Sequence, residues 1–158
     1  MSNSHMPDPI TPSLYIGAAR LAGQPEALRQ IGITSVLKLY ESPPDWPDGF
    51  TLCDMPFPDG EPIPPERMAR HIRFITDEIA AGRVVLVVCG AGISRSGTAV
   101  LAYLVSTGMS LSDAIRLVKA RHAIVGPLPP LLQSLIDYFK LPDTVMDAIS
   151  WLLGDPSR

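Results

Sequence analysis

Residues 84–105, VVLVVCGAGISRSGTAVLAYLV, decide how this chain is read. Val84 to Val88 form an unbroken apolar run with β-branched residues at four of five positions, the pattern of a strand buried on both faces of a parallel sheet. Thr98 to Val105 form a second apolar run, long enough for a buried helix. Between them lie Cys89, three glycines (Gly90, Gly92, Gly97), two serines (Ser94, Ser96) and a single cation, Arg95. A strand, a small-residue loop and a helix start make a ready anion site: unpaired backbone N–H groups converge there and the helix dipole adds positive potential. A cysteine at the mouth of such a loop is expected as the thiolate. The residues between Cys89 and Arg95 (Gly90, Ala91, Gly92, Ile93, Ser94) are uncharged and, Ile93 apart, small. They can curl around one phosphate-sized anion, with Arg95 closing the ring as a bidentate fork.

Outward from this stretch, the chain alternates strand and helix signals. Leu14 to Ile16 reads as a short strand ended by Gly17, and Gln24 to Gln30 as a helix with Pro25 in its first turn. Thr34 to Leu39 and Phe50 to Met55 read as strands, the second containing Cys53. The loop 41–49 carries Trp46, and the proline-punctuated loop 56–65 carries Asp59 and Glu61 after a strand, where a catalytic carboxylate can be presented. Glu66 to Ala80 is the clearest amphipathic helix, with Met68, Ile72, Ile75 and Ile79 on one face. Ser110 and Asp113 mark a further helix start, Leu131 to Phe139 another helix, and Asp143 is read as the cap of a last helix ending at Gly154. The expected class is α/β, with a mainly parallel central sheet of four to five strands flanked by helices. The anion site falls at the carboxyl end of the buried strand, where open α/β sheets bind ligands.

Composition narrows the function. The chain has 158 residues, enough for one domain with a real core, with 46% hydrophobic residues and a net charge of −3. No basic face argues for nucleic acid or an anionic membrane, and no apolar run approaches a membrane span. The two cysteines leave no disulfide framework, so a reducing, cytoplasmic setting is expected. Ser4-His5-Met6 resembles a cloning remnant that places the natural start at Met6. Residues 1–9 are expected to be a disordered, tag-like N-terminus, and residues 10–154 a single domain. The oligomeric state is left open, with a monomer expected.

Cys-x5-Arg followed by Ser96 resembles the signature loop of the protein tyrosine phosphatases, specifically the small, atypical dual-specificity subfamily. The resemblance continues in SLYIGAARLA (13–22), GITSVLKL (32–39), AYLV (102–105), MSLSDAIRLVKAR (109–121) and LLQSLIDYF (131–139), in the subfamily's order. It implies a phosphatase-like fold and a metal-independent, cofactor-free phosphate monoester hydrolase acting on phosphorylated proteins or peptides. Cys89 would be the nucleophile, forming a phosphocysteine. The loop 90–95 would hold the phosphate, and Ser96 would hydrogen-bond the sulfur. Asp59 stands where the family has its general acid; Glu61 and Asp54 are the competitors, and a plain turn role for Asp59 stays open.

Two departures qualify this. The family's usual histidine before the cysteine is Val88 here, which predicts reduced or pH-shifted activity. Relatives often have Arg and Asn around the positions of His122, Gly126 and Leu128, which removes support for a second phosphate pocket; Gln133 matches a common family glutamine. For the remaining residues, His71 and His122 are expected on helix surfaces. Trp46 is expected to pack its loop, with an aromatic wall for a phosphotyrosine ring as the sharper reading. Cys53 is expected in the core, with a reversible disulfide to Cys89 as the rival, and a helix-cap role rivals the one given to Ser96. Two other functions compete with a protein phosphatase: action on a non-protein phosphate such as a phosphoinositide or nucleotide, and a catalytically silent phosphate-binding scaffold, motivated by Val88.

Overall fold

A computed structural model describes residues 6–154. Five strands form one sheet: β1 (Asp8–Thr11), β2 (Leu14–Ala18), β3 (Ile33–Lys38), β4 (Thr51–Asp54) and β5 (Val84–Cys89), in the spatial order β1-β2-β5-β3-β4. β1 runs antiparallel to β2, and the other pairs are parallel. Parallel strands cannot be joined by tight hairpins. α1 (Pro25–Gln30) lies on the connection from β2 to β3, the segment 39–50 joins the neighbours β3 and β4, and α2 (Pro65–Ala80) lies on the connection from β4 to β5. Then come α3 (Arg95–Ser106), α4 (Leu111–Arg121), α5 (Pro129–Phe139) and α6 (Val145–Leu152).

The β-branched run becomes the central strand because both of its faces find apolar cover. Val85, Val87 and Cys89 join the large core formed with α2 to α6, while Leu86 and Val88 join a second core with Leu21, Leu28, Tyr40 and Trp46. Cys89 ends β5 opposite Ala18 of β2, so the loop that follows emerges at the carboxyl edge of the sheet. Nine of the twelve residues of α3 are buried. Its close packing depends on Gly97, where a Cβ would stand 2.8 Å from Cγ2 of Val125.

Three expectations are corrected. The N-terminal stretch is not uniformly disordered: Asp8 to Thr11 pair with β2, and Ile10 is 2% exposed, while residues 1–5 of the expected tag lie outside the described residues. The last helix is capped by Thr144, not Asp143: its hydroxyl accepts from the Asp147 N–H, and the Asp147 carboxylate accepts from the Thr144 N–H. His71 is buried on the inner face of α2 rather than exposed.

Candidate active site

The loop from Cys89 to Arg95 is held from its outer side. The Gly90 carbonyl accepts from the Ala19 N–H at 3.1 Å, and the Ile93 carbonyl from the Gly126 N–H at 3.0 Å. Gly92 has φ +72°, and a Cβ there would meet the Gly17 backbone at 2.9 Å, so only glycine lets the loop press this closely on β2. A trans peptide points its C=O and N–H to opposite sides. Tying carbonyls outward therefore turns the following N–H groups, those of Ala91 and Ser94, toward the concave side.

At the base of the concavity, Cys89 is 2% exposed and its Sγ lies 3.0 Å from Oγ of Ser96. Ser96 is itself fully buried in the first turn of α3, so its hydroxyl serves the sulfur rather than capping the helix. Arg95 divides its guanidinium between protein and site. Nη1 donates to the carbonyls of Phe57 (2.8 Å) and Leu39 (3.3 Å) and to the Glu41 carboxylate. Nε is buried without a partner, and Nη2 lies near Gly90, where a Cβ would stand 3.4 Å from it. A buried donor with no acceptor is costly. An oxyanion in the loop would satisfy it and would take the Nε–Nη2 edge as a fork.

Asp59 reaches the same loop. Its Oδ1 accepts from the Ser94 hydroxyl at 2.8 Å, and Ser94 Oγ in turn accepts from the Leu128 N–H at 3.0 Å. The stem of the Asp59 loop is braced through Phe57. Its ring stacks on His71 with centroids 5.8 Å apart, and the Arg67 guanidinium lies 5.2 Å from the ring centroid. Burial, with Arg67 and Arg70 nearby, pushes the pKa of His71 down to about 3, so the ring is neutral at pH 7. Of the rival carboxylates, Asp54 is paired with Lys38 Nζ at 3.2 Å at the end of β4, and Glu61 is exposed.

The other residues singled out in the sequence fall as follows. Val88 is fully buried in the second core, on the sheet face opposite Cys89. Trp46 is 7% exposed in that same core, so it packs its loop and forms no wall at the site. Leu37 of β3 lies opposite both Cys53 of β4 and Val87 of β5. Two strand spacings put Cys53 about 10 Å across the sheet from β5, beyond the roughly 7 Å Cα separation a disulfide can span. Burial raises the Cys53 thiol pKa, which makes it less reactive still. Gln133 bonds Asp137 within α5 at 2.8 Å. His122, expected on a surface, is 5% exposed: Nε2 lies 2.6 Å from the Gly92 carbonyl and Nδ1 2.7 Å from Asp8 Oδ2. No sequence pattern marks that contact.

Residues 14–141 match the family model described as dual specificity phosphatase, catalytic domain. Dual specificity protein phosphatase 2 of Mus musculus is 36% identical over 124 residues, covering 77% of this chain and 39% of that protein. Dual specificity protein phosphatase 15 of the same species is 30% identical over 131 residues, covering 82% of this chain and 56% of that protein. The chain thus spans between two-fifths and somewhat over half the length of these curated relatives. The crystal structure of human DUSP28 superposes with a TM-score of 0.78 at 28% identity, covering 85% of this chain and 93% of that one.

Proposed function

Because this chain belongs to the dual specificity phosphatase catalytic-domain family, we propose that it is a cysteine-dependent phosphate monoester hydrolase, with phosphorylated proteins or peptides as substrates. The observation that carries the reading is Arg95: Nη1 is anchored to the protein, Nε is buried without a partner, and Nη2 lies beside Gly90 of the loop. The loop amides and this fork bind the equatorial phosphate oxygens and stabilise the charge that spreads over them. Cys89 Sγ attacks phosphorus in line, and the S–P bond forms as the P–O bond to the leaving group breaks. Asp59 gives its proton to that leaving oxygen. In the second half-reaction Asp59 takes a proton from water as its oxygen attacks phosphorus. The S–P bond then breaks, inorganic phosphate departs, and the Ser96 hydroxyl donates to the returning sulfur anion.

The rim of the loop supports an aryl phosphate within an apolar sequence context. Ile93 and Leu128 are 37% and 43% exposed, and Leu128 abuts Gly60 of the Asp59 loop. Phosphotyrosine peptides with apolar neighbours fit this rim better than doubly phosphorylated or strongly acidic ones. The reading takes residues 8–154, with β1 included, as one catalytic domain working in the reducing cytoplasm, in keeping with the two free cysteines.

Hydrolysis of p-nitrophenyl phosphate in EDTA tests the proposal. It should proceed, be blocked by vanadate and disappear in Cys89→Ser. Vanadate binding without turnover would favour a silent phosphate-binding scaffold, the reading that Val88 motivates. A panel of phosphopeptides and phosphoinositides tests the substrate class, and preference for the lipids would overturn it.

A further inference from the structure

The Gly90 and Ile93 carbonyls of the loop are tied by main-chain amides, but Gly92 is tied by a side chain, His122 Nε2 at 2.6 Å. A carbonyl only accepts, so Nε2 donates. The other ring nitrogen faces the Asp8 carboxylate at 2.7 Å, also an acceptor, so a ring carrying both hydrogens satisfies both contacts. Asp8 is placed for this by β1, where it pairs with Ile16. The pair spans 114 positions of sequence. Behind it lies a cavity of about 420 Å³ lined by Arg20, Ala91 and Ile124 as well as Asp8 and His122. Without the imidazole, the Gly92 carbonyl would lose its side-chain donor.

We propose that His122, oriented by Asp8, is a positioning residue that fixes the Gly92–Ile93 peptide so that the Ile93 N–H points into the oxyanion cradle. The only cis peptide among the described residues is Pro43–Pro44, so the Gly92–Ile93 unit is trans and its two polar groups oppose each other. A carbonyl held against His122 is therefore an amide held toward phosphate. The device couples the N-terminal strand to the site, and it supplies from behind an ordering contact at the loop of a chain that has Val88 before its cysteine.

The inference rests on the phosphatase reading for its kinetic readout, and on vanadate binding for an independent one. His122→Leu fills the space without a donor, His122→Gln keeps an amide donor toward Gly92, and Asp8→Ala frees the ring. His122→Leu should lower kcat on p-nitrophenyl phosphate on the order of tenfold, the scale of losing an outer support of a preorganised site. Vanadate affinity should weaken by a similar factor, while KM moves less than about twofold. His122→Gln should recover most of kcat, and Asp8→Ala should fall between. The proposal is overturned if His122→Leu keeps wild-type kcat and vanadate affinity, or if His122→Gln is as impaired as His122→Leu at an equal melting temperature. Should His122→Leu fail to fold, wild-type kcat in Asp8→Ala overturns it. A wild-type protein that binds vanadate without turnover sinks the phosphatase reading instead, and vanadate affinity across the same variants then tests the positioning role.

Discussion

Ser94 donates its hydroxyl hydrogen to Asp59 at 2.8 Å, joining the anion loop to the only carboxylate of the 56–65 loop hydrogen-bonded to it. The bond makes the position of Asp59, the proposed general acid, depend on the loop that would hold the phosphate. Ser94 is 5% exposed and its oxygen also receives the Leu128 N–H, so its rotamer is fixed from the other side.

Asp59→Asn should lower kcat by about 10²–10⁴ for phenyl phosphate, whose leaving group needs a proton. It should cost much less for p-nitrophenyl phosphate, whose leaving group does not. Ser94→Ala should show the same leaving-group pattern in weaker form. Equal losses on both esters would remove Asp59 from the acid role.

Arg95→Lys should abolish the fork while leaving an ammonium near the loop. A single point charge cannot hold the Phe57 carbonyl and two phosphate oxygens together. Turnover is expected to fall on the order of 10²–10³, the cost of losing an oxyanion donor. Stopped-flow or steady-state rates check this, and near wild-type turnover would refute the division of labour read from Nη1 and Nε.

Val88→His puts a polar ring into the apolar cluster around Leu86 and Trp46. Thermal melts should show a loss of about 1–3 kcal/mol, the usual cost of a buried group without a partner. The rate and the thiolate titration, followed by alkylation of Cys89, should both change. If neither moves, the histidine missing from this position has no bearing on activity.

His71 links stability to pH. Its ring binds a proton at about 3 when folded and near 6.5 when unfolded, because burial, and then Arg67 and Arg70, oppose its charge. The unfolded chain thus binds more protons between those values, and stability is lost as pH falls from 6.5 toward 3. The slope is about 1.4 kcal/mol per pH unit. His71→Phe keeps the stack on Phe57 and removes the titration. Urea midpoints between pH 7 and 4 should fall less steeply in that variant than in the wild type, and parallel slopes would refute the assignment.

The sequence by itself determined the strand, loop and helix of residues 84–105, because a β-branched run and a glycine-rich turn are local signals that burial only reinforces. It also brought Cys89, Arg95 and Ser96 together, since all three stand between the end of that strand and the first turn of that helix. His71 was legible in principle: it stands three residues after Met68 and four before Ile75, on the same helix face, but its polarity argued for the surface. Tertiary structure alone decided that Asp8 and His122 meet behind Gly92, that Cys53 is two strands from Cys89, and how Arg95 shares its nitrogens. Each depends on strand order or on contacts between residues far apart in the chain, and a solitary polar side chain carries no periodic signal. Its partner exists only once the sheet has set the distances.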